Sequence, residues 1–345
     1  MQALNREEQI DQLFANQPPF RKKQIEKALF DEKIKNWKQV TTLPKEMTEI
    51  LEKEIPFFSV QIKTIVASHD KETYKAIVSV PEEKEIETVL MKNRRGYWTI
   101  CVSSQVGCAM RCTFCATGKM GLIRSLSCDE IVDQYRLWQG FLVEHPELSQ
   151  QISNIVYMGM GEPLANYEEV KKSLRLLLTY TDIGNTHITV STVGVLPRLE
   201  QVLIDPEWPH IRMAISLHSA DKETRKEIVP TSYEDFLPKL ADWCRRYLER
   251  FGNRRHHLTF EYVMLAGVND TPHHAQVLAD FVNTIGNVRV NLIPYNFTEC
   301  GFACSSLETI QAFMHALEEK SVTVTKRKTQ GEDIAAACGQ LIKKK

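Results

Sequence analysis

From residue 98 to residue 325 seven short runs rich in Val, Ile and Thr recur, at 98–102, 154–158, 187–191, 212–216, 259–263, 288–292 and 322–325, with helical starts legible between them. Ser127-x-x-Glu130 and Ser305-x-x-Glu308 have the capping-box spacing, and Thr271-Pro272 puts an N-cap before a proline at the first helical position. Strand–helix–strand units of this length leave few folds open. They build a parallel sheet, either a full or partial barrel or a doubly wound sheet. In both, ligands gather outside the C-terminal ends of the strands.

The polar residues fall where that rule puts a site. Just past the expected strand ends stand Gly159-Met-Gly161-Glu162-Pro163, Ser191-Thr192, Ser216-Leu217-His218 and Pro294-Tyr-Asn296. Any one of these reads as well as a turn or a cap; their joint placement on one rim is what marks a site. After the first strand comes Cys108-Ala-Met-Arg-Cys112-Thr-Phe-Cys115, three thiols at C-x3-C-x2-C spacing. A structural zinc ion or an ordinary iron–sulfur cluster takes four protein ligands, so three leave one metal position free for a substrate or cofactor. A zinc site with a distant fourth ligand, or simply buried thiols, remain the other readings of the spacing alone.

Ahead of the first strand the pattern is different. Residues 1–56 carry helical periodicity, with Ile10, Leu13 and Phe14 on one face and Ile25, Leu29 and Phe30 on another, broken at Pro18-Pro19. Residues 57–93 read as short strands at 60–65, 76–80 and 86–90. The expected organisation is a small helical accessory domain (1–56), a β extension (57–93), an α/β core (94–332) and a C-terminal segment (333–345).

The chain has 345 residues and a formal net charge of −1, so no global basic field exists. Basic residues nevertheless cluster at Arg21-Lys22-Lys23, Arg94-Arg95, Arg245-Arg246, Arg254-Arg255-His256-His257, Lys326-Arg327-Lys328 and Lys343-Lys344-Lys345. A nucleic-acid partner needs only such local patches. Nine unevenly spread cysteines fit reduced thiols better than a disulfide framework, and neither a signal peptide nor a membrane-length apolar run is present. A cytoplasmic, monomeric protein with no membrane partner is expected.

The cysteine triad, with an aromatic residue before its last member, resembles the motif of the radical S-adenosylmethionine (SAM) superfamily. Thr99-Ile-Cys101-Val-Ser-Ser-Gln-Val-Gly-Cys108, Met158-Gly-Met-Gly-Glu-Pro-Leu164, Ser216-Leu-His218, Asn291-Leu-Ile-Pro294 and Asp333-Ile-Ala-Ala-Ala-Cys338-Gly-Gln-Leu341 resemble, in order and spacing, the RlmN/Cfr family of RNA adenine methyltransferases. The resemblance covers nearly the whole chain. It implies a partial (β/α)6 TIM-like barrel and a [4Fe–4S] cluster on Cys108, Cys112 and Cys115. SAM would chelate the open iron, and Gly161, Glu162, Ser191, Ser216, Leu217, His218 and Asn296 would complete its pocket. It further implies an RNA substrate, 23S rRNA with tRNA as a second, and an electron donor of flavodoxin or ferredoxin type.

The same resemblance assigns the chemistry. Carbon 2 of adenine is not nucleophilic, so the methyl must arrive as a carbon radical. Cys338 would be methylated by a first SAM and activated by the radical from a second, leaving RNA attached through Cys338. Cys101 would release the product by forming a disulfide with Cys338, and Glu87 would take the ring proton. Glu82, Glu83 and Glu85 precede Glu87, so a solvated charge run is its other reading. Cys128, Cys244, Cys300 and Cys304 are expected to be structural. Pro163, Val106 and 327–331 resemble the carbon-2 members, whereas Glu87-Thr-Val-Leu-Met91-Lys and the short N-terminus resemble the carbon-8 members; carbon 2 is the expectation. A radical SAM protein acting on peptide and an RNA-binding module with a structural zinc are the alternatives.

Overall fold

The computed structural model of the chain describes residues 5–252 and 258–341; the basic clusters at 254–257 and 343–345 lie outside the described residues. Helices α1 (Arg6–Leu13), α2 (Pro19–Leu29) and α3 (Lys45–Glu54) form the N-terminal module. It has a core of its own, in which Ile25, Leu51 and Ile55 surround Trp37, whose Nε1 donates to the Ile55 carbonyl at 2.7 Å. Strands β1 (Gln61–Ala67), β2 (Thr73–Val80) and β3 (Lys84–Lys92) follow as an antiparallel meander. β3 pairs antiparallel with β4 (Trp98–Cys101), so the extension continues the main sheet rather than forming a layer apart.

β5 (Gln105–Gly107), α4 (Ala116–Met120) and β6 (Leu122–Ser125) then frame the cysteine loop, with β5 and β6 as a separate two-stranded hairpin. Six strand–helix units make the core. After β4 comes α5 (Cys128–Glu144), followed by β7 (Ile152–Tyr157), α6 (Tyr167–Tyr180), β8 (Ile188–Thr192), α7 (Leu196–Ile204) and β9 (Arg212–Ser216). Then come α8 (Lys222–Ile228), α9 (Phe236–Phe251), β10 (Leu258–Met264), α10 (Pro272–Ile285), β11 (Val288–Pro294), α11 (Leu307–Glu319) and a closing strand, β12 (Thr323–Lys326). The sheet order is β1-β2-β3-β4-β7-β8-β9-β10-β11-β12, parallel from β4 onward, and β1 and β12 are its two edges. Each of the seven expected strands is present, and the barrel is open.

The helix caps agree with expectation at two places and shift at the third. Ser127 and Glu130 form a full capping box on α5, and Thr271 caps α10 ahead of Pro272. α11 is capped one residue later than the spacing suggests, by Ser306, whose side chain accepts from the Thr309 amide at 3.1 Å. Ser305 instead donates to Asp270 at 2.6 Å, because it is buried against the loop before α10.

Buried charge joins the N-terminal module to the core. Asp133 on α5 accepts from Arg6 Nη2 at 2.7 Å, from Ser59 N and Oγ at 2.7 Å each, and from Arg136 Nη1. Arg136 also reaches the carbonyls of Leu29 and Phe57 and lies 4.2 Å from the Phe58 ring centroid. Burial alone would raise the Asp133 carboxyl, but the two guanidiniums hold it well below the usual range.

Candidate active site

The cysteine loop is folded by close backbone contacts. Gly107, at φ +75°, lies so near Gly121 that a Cβ would sit 1.9 Å from its carbonyl oxygen. Cys108 N donates to that same carbonyl, at 3.0 Å. Thr113 N donates to Ile228 at 3.0 Å, and Ala116 N to the carbonyl of Gly339 at 2.9 Å, so the C-terminal segment pins the end of the loop. Thr117 Oγ1 adds a bond to Leu341 at 2.6 Å.

Cys108, Cys112 and Cys115 line a cavity of about 160 Å³ with Gly161, Glu162, Ser191, Ser216 and His218. Burial pushes the Cys108 thiol up to about 12 and raises Cys112 and Cys115 as well, and the charges of the neighbouring thiolates push the same way. Three thiols that resist ionisation together are stabilised as thiolates by a cation among them. Among the described residues no three His, Cys, Asp or Glu side chains gather tightly enough for a single metal ion. An iron–sulfur cluster is larger than one ion, and cysteine thiolates are its usual protein ligands. The donor set therefore fits a cluster better than zinc.

Glu162 is buried beside them. Its Oε1 accepts from Leu164 N at 3.0 Å and its Oε2 from Val193 N at 2.9 Å, which leaves acceptor capacity on both oxygens. Burial raises its carboxyl, against hydrogen bonds from Thr192, Val193 and Leu164. Gly161 needs φ +104°, and a Cβ there would meet Gln105 at 2.6 Å, so its close approach is to the β5 strand. Ser191 Oγ and Ser216 Oγ are 3.1 Å apart. Leu217 is wholly buried and off the cavity wall; it contributes backbone, its N–H bonding Glu261 and its carbonyl accepting from Arg225 Nε.

His218 stands edge-on to Phe114, with ring centroids 4.8 Å apart, and its Nδ1 accepts from Val263 N at 3.1 Å. Burial and the charge of Arg225 lower it to about 3, so it is neutral with its proton on Nε2. The unfolded chain takes up that proton near pH 6.5 while the folded chain does not, so stability falls as pH drops below 6.5. In His218→Asn, thermal melts followed by circular dichroism are expected to show a shallower loss of midpoint between pH 6.5 and 4.

A second, smaller cavity of about 30 Å³ adjoins the first, lined by Met91, Cys101, Asn296, 327–330 and Cys338. Met158, Ile293, Arg327 and Cys338 lie on the walls of both. Asn296, expected in the SAM pocket, instead faces this cavity, and its Nδ2 donates to the Cys338 carbonyl at 3.1 Å. Left-handed Ala335 and Gly339 bend the segment that presents Cys338, and Gln340 ties it down by accepting from Ala337 N and donating to Phe297 O.

Glu87 separates from its acidic neighbours. Glu82 and Glu83 sit in the turn between β2 and β3, and Glu85 pairs with Lys63, whereas Glu87 is buried and paired with Lys75 Nζ at 3.1 Å. Val89 pairs with Cys101 across the sheet, so Glu87, two residues along, shares the Cys101 face. It is not on the wall of either cavity. Of the remaining thiols, Cys300 lies close enough for its charge to raise Cys115, Cys304 is exposed, and neither lines either of these two cavities.

Arg327 and Glu261 were not singled out as site residues from sequence. Arg327 Nη1 lies 3.6 Å from Met158 Sδ, and the charge of Cys338, ahead of those of Glu261 and Cys101, raises it. Burial pushes the Cys101 thiol up to about 12, with the Cys338 charge adding and Arg327 opposing. Arg327→Gln is accordingly expected to slow alkylation of Cys101 several-fold at fixed alkaline pH, read by peptide mass spectrometry.

The sequence pattern of the Radical SAM superfamily matches residues 102–276. A "Probable dual-specificity RNA methyltransferase RlmN" of Dictyoglomus thermophilum is 40% identical over 331 residues, which cover 94% of this chain and 91% of the relative. The chain belongs to the radical SAM superfamily, in its RlmN family. An RlmN of Acaryochloris marina, named in the same words, is 37% identical over 94% of the chain and 89% of its own length. The crystal structure of a radical SAM methyltransferase from Sphaerobacter thermophilus superposes with a TM-score of 0.89 at 35% identity, covering 98% of this chain and 97% of that one. Membership in the RlmN family implies SAM and an iron–sulfur cluster, and the three thiols and Glu162 on one cavity wall are donors of the kinds those groups take.

Proposed function

We propose that this RlmN-family chain is an RNA methyltransferase that methylates carbon 2 of an adenine in 23S rRNA and in tRNA, through S-methylcysteine at Cys338 and a covalent RNA intermediate. The observation that carries the reading is the position of Cys338 on the shared wall of two cavities, with the cysteine triad in one and Cys101 in the other. A carrier thiol must meet both a methyl donor and a substrate base, and that position reaches both.

Cys108, Cys112 and Cys115 would hold a [4Fe–4S] cluster, and Gly161, Glu162, Ser191, Ser216 and the His218 segment would hold SAM. Bound there, SAM supplies the methyl carbon and, in a second molecule, the one-electron chemistry that removes a hydrogen atom from it. The chain does the rest. Cys338, as a thiolate, takes the methyl group from SAM with release of S-adenosylhomocysteine and carries it to the adjoining cavity, where, after loss of a hydrogen atom, its carbon bonds adenine C2. Glu87 takes the C2 proton, with Lys75 holding the carboxylate in place, and the one electron that the adduct sheds with that proton would return to the iron–sulfur centre. Cys101 then attacks Cys338 Sγ; the sulfur–carbon bond breaks, the released carbon is protonated to methyl, and a Cys101–Cys338 disulfide forms. A thiol reductant must reopen that disulfide before the next turnover. The apolar side chains among the wall residues, Met158, Val263 and Ile293, would keep water from the carbon radical.

The deciding experiment is mass spectrometry of nucleosides from rRNA and tRNA treated with anaerobically purified protein. It is expected to give 2-methyladenosine, from brown protein with about four irons per chain. 8-Methyladenosine would overturn the regiochemistry, and colourless zinc protein with no methylated nucleoside would overturn the whole reading.

A further inference from the structure

The concave face of the sheet is polar, where a closed barrel is filled with branched apolar side chains. Register defines that face. Cys101, Ser191, Ser216 and Glu261 line the two cavities, and residues two apart on a strand share a side. By that alternation Thr99, Thr189, Arg212, Thr259, Arg289 and Asn291 point the same way.

Most of these groups satisfy one another. Asn154 Nδ2 donates to Thr99 Oγ1 at 3.4 Å, Asn291 Nδ2 to Glu261 at 2.8 Å, and Thr325 Oγ1 to Asn291 Oδ1 at 3.1 Å. The two arginines are the exception. Among the described residues neither Arg212 nor Arg289 has a hydrogen-bond or ion-pair partner, and Arg212 Nε is shut away from solvent without an acceptor. They stand on β9 and β11 with only β10 between them. Burial, then the neighbouring charge of Arg289, disfavours the Arg212 cation. Two such guanidiniums without a counter-charge are left for a partner to neutralise, and phosphate oxygens match their fork of donors.

Their place selects the partner. Arg212 is in register with Thr189, Thr189 with Val156, and Val156 with Cys101, so one row of the sheet runs from the arginine to the resolving thiol. Three strand spacings make that about 14 Å along the sheet. Neither arginine is on the wall of either cavity, so neither SAM nor the adenine itself is their ligand, and what is left for them is the strand beside that base. With a chain net charge of −1, this positive patch is local and is not an edge of a global field.

We propose that Arg212 and Arg289 form a phosphodiester-binding site on the concave face of the sheet, which holds the RNA strand flanking the adenine presented to Cys338. The site rests on the RNA-methyltransferase reading above. It predicts a definite loss of phosphate contacts. With reconstituted full-length protein and a single-stranded RNA oligonucleotide, affinity is measured by fluorescence anisotropy across a potassium chloride series. Arg212→Gln and Arg289→Gln are each expected to lower the slope of log K against log salt by about 0.7, and Arg289→Lys to keep it. Arg289 is exposed, so Arg289→Glu is a variant that should fold, and it is expected to weaken binding further. A wild type that methylates RNA while the glutamine variants keep its slope overturns the site alone. A wild type that yields no methylated nucleoside overturns the reading and the site together.

Discussion

Cys338→Ala is expected to yield no methylated RNA at all, and Cys101→Ala to accumulate RNA joined covalently to the protein. The two thiols share one cavity, but only Cys338 also faces the cavity of the cysteine triad. In the proposed mechanism, losing Cys338 removes the atom that would carry the carbon, so no later step would have a substrate. Losing Cys101 leaves every step intact up to resolution, and the adduct has no nucleophile to release it. Denaturing gel electrophoresis of labelled RNA separates the outcomes: a shifted band in Cys101→Ala, none in Cys338→Ala, and none in the double variant. Methylated nucleoside from Cys338→Ala would sink the carrier role. Both substitutions remove one sulfur from a cavity wall, so iron content should stay at the wild-type level and report that the fold is intact.

The parts of this arrangement differ in how far the sequence discloses them, and the difference is physical. Strands such as Ile152–Tyr157 and Val288–Pro294 are buried on at least one face, so their Val and Ile runs are visible in one dimension. The hairpin of β5 and β6 is not, because three residues, Gln105–Gly107, are too few to show a period, and the hairpin rests on Gly107 meeting Gly121. Cys101 and Cys338 are 237 positions apart, and only a family resemblance couples them; the cavity that both line supplies the physical reason. Asn296 looks like one more rim residue, yet its amide is spent on the carbonyl of Cys338. Glu87 is indistinguishable in composition from the acidic residues before it, and strand register and burial set it apart. The unpartnered arginines on the concave face are silent in sequence for the same reason: an absent partner has no pattern.

Asp133→Ala is expected to cost about 3–5 kcal/mol, the loss typical of removing one partner from a buried ion network. Asp133 is fully buried between Arg6 of the N-terminal module and Arg136 of its own helix, and it also accepts from the amide and hydroxyl of Ser59. Its removal takes the shared carboxylate from two buried guanidiniums, which keep only Asp129 and backbone carbonyls, and leaves two Ser59 donors without their acceptor. Equilibrium urea denaturation would read the loss directly, and a wild-type midpoint would refute it. The pH dependence has a fixed sign. The folded Asp133 carboxyl is depressed, so its contribution is complete above the unfolded value near 4 and disappears only as pH falls through the lower folded value. Asp129, raised by burial despite Arg6, acts the other way. Its folded pKa lies above the unfolded one, so it favours the folded state most below the unfolded value and loses that effect as pH rises through the folded one. In Asp133→Ala the acid limb of the stability profile should therefore flatten below pH 4, while the loss at neutral pH remains. Because the network is the buried charged contact between Arg6 and the core, the variant is also expected to loosen the N-terminal module first. Hydrogen exchange would show this as lost protection in α1 and α2 before any change in β4, which carries Cys101.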